Sequence, residues 1–385
     1  MKAWKDGFSR FLAADPERLH FAAHSHHFWP DVTFEAQQQA WLDAARLADE
    51  KWDFVFEEVW PEAQKHIARE LGLPSHESLV FAPNTHEFVL RLLSCLPNLP
   101  KIVTSDSEFH SFERQTRRLE EDGLALVTRV PAEPFHSFPE RLVAASKGAD
   151  LVFFSQVFFN SGAESGDLER TVAALPADAM VVIDGYHGFG AVPTRLSRVG
   201  ARAFYLSGGY KYAMAGEGAC FLHVPPTAAH LRPRNTGWFA AFGALDTKVA
   251  GRVPYSTGAM RFMGATFDPT GLYRFNAVMR WRQEVGLTTE KNREHAHLLQ
   301  REFVDGLDST GSLSKEQLVV PVSHGARGQF LTFRTSEARA LSATLKLHRV
   351  VTDARDDRLR FGFGPYHSQA DVAELHARIH RALRG

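Results

Sequence analysis

Met180-Val181-Val182-Ile183-Asp184-Gly185-Tyr186-His187-Gly188 and Ala203-Phe204-Tyr205-Leu206-Ser207-Gly208-Gly209-Tyr210-Lys211-Tyr212 decide how this chain is read. Each opens on an apolar run of strand length and closes on glycine and polar residues. A short continuous apolar run bounded by turn residues is the pattern of a strand buried on both faces. In an open parallel sheet, such strands present ligand-binding groups beyond their carboxyl ends. Asp184 and Lys211 are therefore expected on one edge of one sheet.

The pattern continues outward. Leu79-Val80-Phe81, Ile102-Val103-Thr104, Leu124–Val130, Leu151–Phe154 and Cys220–Val224 read as further strands. Helices are expected between them: through Leu92, Leu93 and Leu96, over Phe112–Glu121, and over Pro139–Ser146. Ahead of the sheet, spacing predicts a helix over Thr33–Ala48, capped by Asp31 or Thr33, with Trp41, Ala44, Ala45 and Ala48 inward. A second covers Pro61–Leu71, with Ala63, Ile67 and Leu71 inward and Gly72 as its stop. Residues 227–270 read as a long irregular connection. Helices over Leu272–Val285 and Thr289–Leu307 follow. Strands at Leu318–Val322, Phe330–Phe333 and Leu359–Phe363 then alternate with helices at Ala338–Lys346 and Gln369–Leu383. The fold class is α/β, a mostly parallel central sheet with a smaller α+β C-terminal domain.

The chain has 385 residues, 44 Lys plus Arg against 45 Asp plus Glu, and a formal net charge of −1. That balance argues against a nucleic-acid binder, which normally carries a basic face. No window approaches the ~18 uninterrupted apolar residues of a membrane span. The start, Met1-Lys2-Ala3-Trp4-Lys5, lacks a signal peptide's apolar core, so a cytoplasmic protein is expected. Two cysteines, Cys95 and Cys220, fit a reducing compartment. The unusual count is 19 histidines, four of them within His20–His27.

Polar residues gather after the strands. Asn84 and Thr85 open a helix, where N–H groups and the dipole suit a phosphate. Phe109 and His110 follow Ile102–Thr104, Asp184 follows Met180–Ile183, and Lys211 follows Ala203–Leu206. An anion cradle, an aromatic ring, a carboxylate and a lysine are the parts that pyridoxal 5'-phosphate needs. The amine forms a Schiff base, and the carboxylate keeps the pyridine nitrogen protonated. Taken singly, Lys211 reads as a solvated charge, Asp184 as a cap and Phe109 as core; only their shared edge makes a site. His24-x-His26 offers a remote alternative, a metal-dependent hydrolase, but no further ligand set completes it.

Val182–Gly188 and Ser207–Tyr212, separated by Gly190-Ala191-Val192-Pro193 and Ala203-Phe204-Tyr205, resemble the core of the class V aminotransferase superfamily. The closest likeness is to kynureninase, over roughly residues 20–380. The resemblance implies the pyridoxal-phosphate-dependent transferase fold type I. It divides the chain into a segment 1–50 packing on the small domain and active site, a cofactor-binding domain 51–255 and a small domain 256–385. It makes Lys211 the catalytic residue, Asp184 the partner of the pyridine nitrogen, and Phe109 the ring that stacks on the cofactor. Asn84, Thr85 and Tyr210 would hold the phosphate, and His187 would lie against the ring. Trp238, in Gly237-Trp238-Phe239, and Thr266, in Gly264-Ala265-Thr266, would reach the neighbouring subunit of a homodimer with shared active sites.

Arg360 matches the arginine that grips a small amino-acid substrate by its α-carboxylate. Alternation in Arg358-Leu359-Arg360-Phe361 independently places both arginines on one strand face. His24-Ser25-His26-His27 stands where kynureninases carry Asn-Ser-Leu-Gly, which puts Ser25 and His26 at the substrate. Ala240-Ala241 likewise replaces a typical Gly-His. The implied activity is hydrolytic Cβ–Cγ cleavage, with transamination between an amino acid and a keto acid as the alternative. The desulfurase branch requires a nucleophilic cysteine well after the lysine, and none follows Cys220.

Overall fold

The computed structural model describes residues 2–244, 250–307 and 313–384. After a short strand β1 (Leu19–His20), the chain builds β2 (Leu79–Ala82), β3 (Lys101–Ser105), β4 (Leu126–Val130), β5 (Leu151–Ser155), β6 (Met180–Asp184), β7 (Ala203–Gly208) and β8 (Cys220–His223). Strands β2 to β8 form one sheet in the order β2-β8-β7-β6-β5-β3-β4. Its pairings are parallel except at β8, which is antiparallel to both neighbours. Two reversals at β8 leave β2 pointing the same way as β7. The carboxyl ends of β2, β3, β5, β6 and β7 therefore share one edge. Helices cover both faces, so β5 and β7 are buried throughout and carry unbroken apolar runs.

The C-terminal part holds β9 (Phe330–Arg334), β10 (Val350–Val351), β11 (Asp353–Arg355) and β12 (Arg358–Gly362). Strands β11, β12 and β9 make an antiparallel sheet in that order, and β1 pairs with β10. Its own apolar core gathers Phe21, Ala296, Leu299, Phe303, Phe333, Phe361 and Val372. Helix Thr270–Glu284 packs on helix Val32–Leu47 within the larger core, which also takes in Val320 and Tyr366. The N-terminal segment ties the two cores together: Trp4 and Phe8 enter the large core and Phe21 the small one. Gly362 permits this crossing, since a Cβ there would lie 2.7 Å from the His24 backbone nitrogen.

Most expected elements are present within a few residues, and helix Trp60–Leu71 ends on Gly72 at φ +62°. Three expectations are corrected. Leu318–Val322 is not a strand: only Leu318 bridges Phe333 and Val319 donates to the Thr332 carbonyl, with Pro321 unable to extend the ladder. Helix Val32–Leu47 buries Thr33, Ala36, Ala40 and Asp43, while Trp41 is 71% exposed. Small residues let this helix approach helix Thr270–Glu284 closely, and the tryptophan is left outside. Asp31 does not cap it; its carboxylate accepts from the Ser9 and Arg10 amides and caps helix Ser9–Ala13 instead. Among the described residues, no helix is long and apolar enough to cross a membrane.

Candidate active site

The shared edge opens on a cavity of about 560 Å³. Ser25, Asn84, Thr85, Phe109, Asp184, His187, Tyr210, Lys211 and Arg360 all line it. Loops after four strands of the large sheet, the Ser25 turn and a strand of the small sheet thus meet around one space.

Lys211 sits on the tight turn after β7, where the Ala215 amide returns to the Gly209 carbonyl. Its amine donates to the His24 carbonyl at 2.6 Å and lies 2.7 Å from His187 Nε2. Burial, reinforced by Arg360, pushes the amine down to about 7; Asp184 acts the other way. Burial and the lysine charge hold His187 well below 6.5. A neutral imidazole can take the lysine proton at Nε2, which also lies 3.3 Å from the His24 carbonyl.

Asp184 ends β6, level with Ser155 on β5. Its Oδ1 accepts from the Tyr186 amide at 2.8 Å. Burial pushes the carboxyl up to about 6, against the Tyr186 hydrogen bond and Lys211. Gly185 must follow it, because a Cβ there would stand 2.0 Å from the Tyr205 ring.

Asn84 is extended and its Oδ1 caps helix Thr85–Leu93 by accepting from the Glu87 amide at 3.1 Å. Thr85 is the first residue of that helix, so its N-terminal dipole faces the cavity region. Tyr210 Oη is 2.9 Å from His26 Nδ1. His26 therefore reaches the cavity through Tyr210 and does not line it, unlike Ser25. Phe109 is half-exposed at the mouth, edge-on to Phe159. Trp238 and Thr266 lie outside the cavity at the surface, joined by a 3.2 Å hydrogen bond.

Arg360 is buried and its Nη1 donates to the Phe159 carbonyl at 2.6 Å. It also pairs with Asp353, its cross-strand partner on β11, so the open carboxylate grip expected from the sequence already has one anion on it. The guanidinium lies 4.6 Å from the Phe159 ring centroid.

The histidine cluster is mainly a structural network. His20 Nε2 bonds the His26 carbonyl, His367 Nε2 bonds the His20 carbonyl, and His27 Nδ1 bonds the Phe28 carbonyl. His24 stacks on Phe330 at 4.7 Å while His26 turns to Tyr210, so the two rings diverge. Among the described residues, no group of three or more His, Cys, Asp or Glu side chains is placed to hold a metal ion. Cys220 is buried in β8 beside Tyr186 Oη, and burial pushes its thiol up to about 12.

The sequence reading missed several groups. Ser155, Phe159, Tyr186 and Arg355 line the cavity, and Glu108 lies behind it. Glu108 accepts from the Ser155 hydroxyl at 2.5 Å and from the Ser155 amide at 3.2 Å. Burial, with Asp184 adding, pushes it up to about 7. The available signal was the polar end of β5, between the strands of Thr104 and Asp184. These groups fit pyridoxal phosphate: a helix start, a buried lysine amine with lowered proton affinity and a buried carboxyl converge on one cavity of suitable size.

The family model for the kynureninase C-terminal domain matches residues 293–379, the stretch that contains β9 to β12. A kynureninase from Pseudomonas fluorescens is 26% identical over 60% of this chain and 55% of its own length. One from Deinococcus radiodurans is 29% identical over 60% of this chain and 57% of its own. An isopenicillin N epimerase from Streptomyces clavuligerus is 33% identical over 50% and 51% respectively. The matched stretch thus spans about half the length of these curated relatives. Among solved structures, a cysteine desulfurase from Thermococcus onnurineus NA1 superposes with a TM-score of 0.82 at 18% identity, covering 99% of this chain and 98% of that one. A mutant of the cystine C–S lyase C-DES with glycine linked to its PLP cofactor gives 0.79 at 16% identity, covering 97% and 98%. At such identities these two likenesses show the fold. The chain is thus similar in sequence to kynureninases over about 60% of its length, and its fold is the one these pyridoxal-phosphate proteins share, fold type I.

Proposed function

We propose that this chain is a pyridoxal-phosphate-dependent enzyme acting on a small α-amino acid, and that it hydrolyses a Cβ–Cγ bond in the manner of kynureninase. The observation that carries the reading is the Lys211 amine, buried at the same cavity as Asp184 and Arg360. When bound, the cofactor supplies an aldehyde for the amine and an electron-withdrawing ring that weakens bonds at the substrate's α-carbon.

This chain's own residues do the rest. Lys211, with its proton affinity lowered by burial, exchanges a proton with the α-carbon near neutral pH. Neutral His187 and the His24 carbonyl orient that amine. Asp184 would pair with the ring nitrogen, the start of helix Thr85–Leu93 with Tyr210 would hold the phosphate, and Phe109 would lie against the ring. Arg360 draws in the carboxylate, and Ser25 borders the substrate. Trp238 and Thr266, exposed and bonded to each other away from the cavity, suit a homodimer in which they complete the neighbour's site. We place the protein in the cytoplasm, with no nucleic-acid or membrane partner.

The test is product analysis of the loaded protein. Incubation with L-kynurenine alone should release alanine and an aromatic carboxylate. If alanine appears only as the product of amino transfer to an added keto acid, the transaminase reading replaces this one.

A further inference from the structure

Three charged side chains at the small-sheet edge of the cavity do more than hold a strand. Asp353 and Arg355 alternate on β11, so both project on the face where β12 carries Arg358 and Arg360. The Asp353 carboxylate bridges two guanidiniums: one oxygen pairs with Arg360, the other lies 3.4 Å from Arg355 Nε. Arg355 and Arg360 both line the cavity; Asp353 does not.

This arrangement is unsaturated in two respects. Two guanidiniums face one carboxylate, which leaves one positive charge unbalanced. Arg360 is only 2% exposed, yet its Nε–H has no partner. A buried donor without an acceptor is costly, and a charged one more so. Arg355, whose side chain is 48% exposed, has its 3.4 Å contact with Asp353 as its one ion pair among the described residues. Asp353 itself shows that one carboxylate is wide enough to touch both arginines. The other anionic groups near the cavity are engaged elsewhere: Asp184 accepts from the Tyr186 amide and Glu108 from Ser155.

We propose that Arg355 shares the substrate's carboxylate with Arg360, and that Asp353 stays in place to hold the two guanidiniums at carboxylate spacing. Arg355 is then a specificity residue that selects α-amino acids over amines lacking the carboxylate. The inference rests on reading the cavity as an amino-acid site.

The experiment titrates the cofactor-loaded protein with L-alanine and with ethylamine, following the cofactor absorbance. Arg355→Ala should raise the half-saturating L-alanine concentration about tenfold, the order expected for one charged hydrogen bond. The response to ethylamine should be unchanged, and Arg355→Lys should recover part of the loss. Asp353→Asn should also weaken L-alanine binding. An Arg355→Ala protein that binds L-alanine as the parent does, or loses both ligands equally, overturns the inference. So does tighter L-alanine binding by Asp353→Asn, which would make Asp353 a competitor for the seat. A second readout needs no cofactor: acetate, against chloride at equal ionic strength, should raise the melting temperature of the unloaded parent more than that of Arg355→Ala. Equal shifts overturn the inference alone, whereas a parent protein that never loads the cofactor overturns the underlying reading.

Discussion

The Lys211 amine lies 2.7 Å from His187 Nε2, and burial lowers the proton affinity of both groups. The lysine is neutral above about 7, not above its ordinary 10.5. Amine-directed acylation of the unloaded protein should therefore modify Lys211 with a midpoint near neutrality. Arg360 is the leading charge that lowers it, so Arg360→Met should move that midpoint upward. Mass spectrometry of the labelled peptide across pH checks both.

Asp184→Asn keeps the side chain's shape and its hydrogen bond from the Tyr186 amide, but removes the charge opposite the cofactor ring. Turnover should fall roughly 100-fold, the scale of losing a positioned electrostatic partner. The melting temperature should hold or rise, because burial disfavours the charged carboxylate. Steady-state rates and a melting curve on the same preparation separate the two effects.

Acid should weaken the fold through the histidines. Burial holds His20 at about 4, His27 at about 3 and His367 at about 3, against an unfolded value of 6.5. Between these values the unfolded chain binds more protons, so stability declines as pH falls from 6.5 toward 4. Glu108 and Asp184 oppose this, because the folded state raises them from 4.5 to about 7 and from 3.8 to about 6. Glu108→Gln removes part of that opposition and should steepen the acid loss. Denaturant unfolding measured across pH 4–7 tests the slope.

Gly185→Ala places a methyl group 2.0 Å from the Tyr205 ring, whose hydroxyl donates to Gln156 Oε1. Overpacking of this kind costs about 1–3 kcal/mol. The variant should melt lower and, because Gly185 adjoins Asp184, load cofactor less well. Calorimetry with and without cofactor checks this.

The site's main groups were legible because parallel strands deliver side chains to one edge, and Asp184, Asn84, Thr85 and Lys211 each come within five residues of the end of an apolar run. Ser155 and Phe159 were hidden because Val157-Phe158-Phe159 reads as core rather than as a loop lining a cavity. Asp353 and Arg355 were invisible for another reason: β11 is three residues long, with a polar sequence that carries no strand pattern, and its pairing with Arg360 exists only across the hairpin. Trp41 shows the converse failure. Helical spacing named a face, but close approach of two helices favoured Ala36 and Ala40 over the large ring.

Lys211 is the residue proposed to carry the cofactor. Purified protein loaded with pyridoxal phosphate should be yellow. Borohydride reduction followed by peptide mapping should find the phosphopyridoxyl group on Lys211, and Lys211→Ala should retain none. Cofactor fixed to another lysine, or fixed equally well in Lys211→Ala, would rule out Lys211 as the attachment residue.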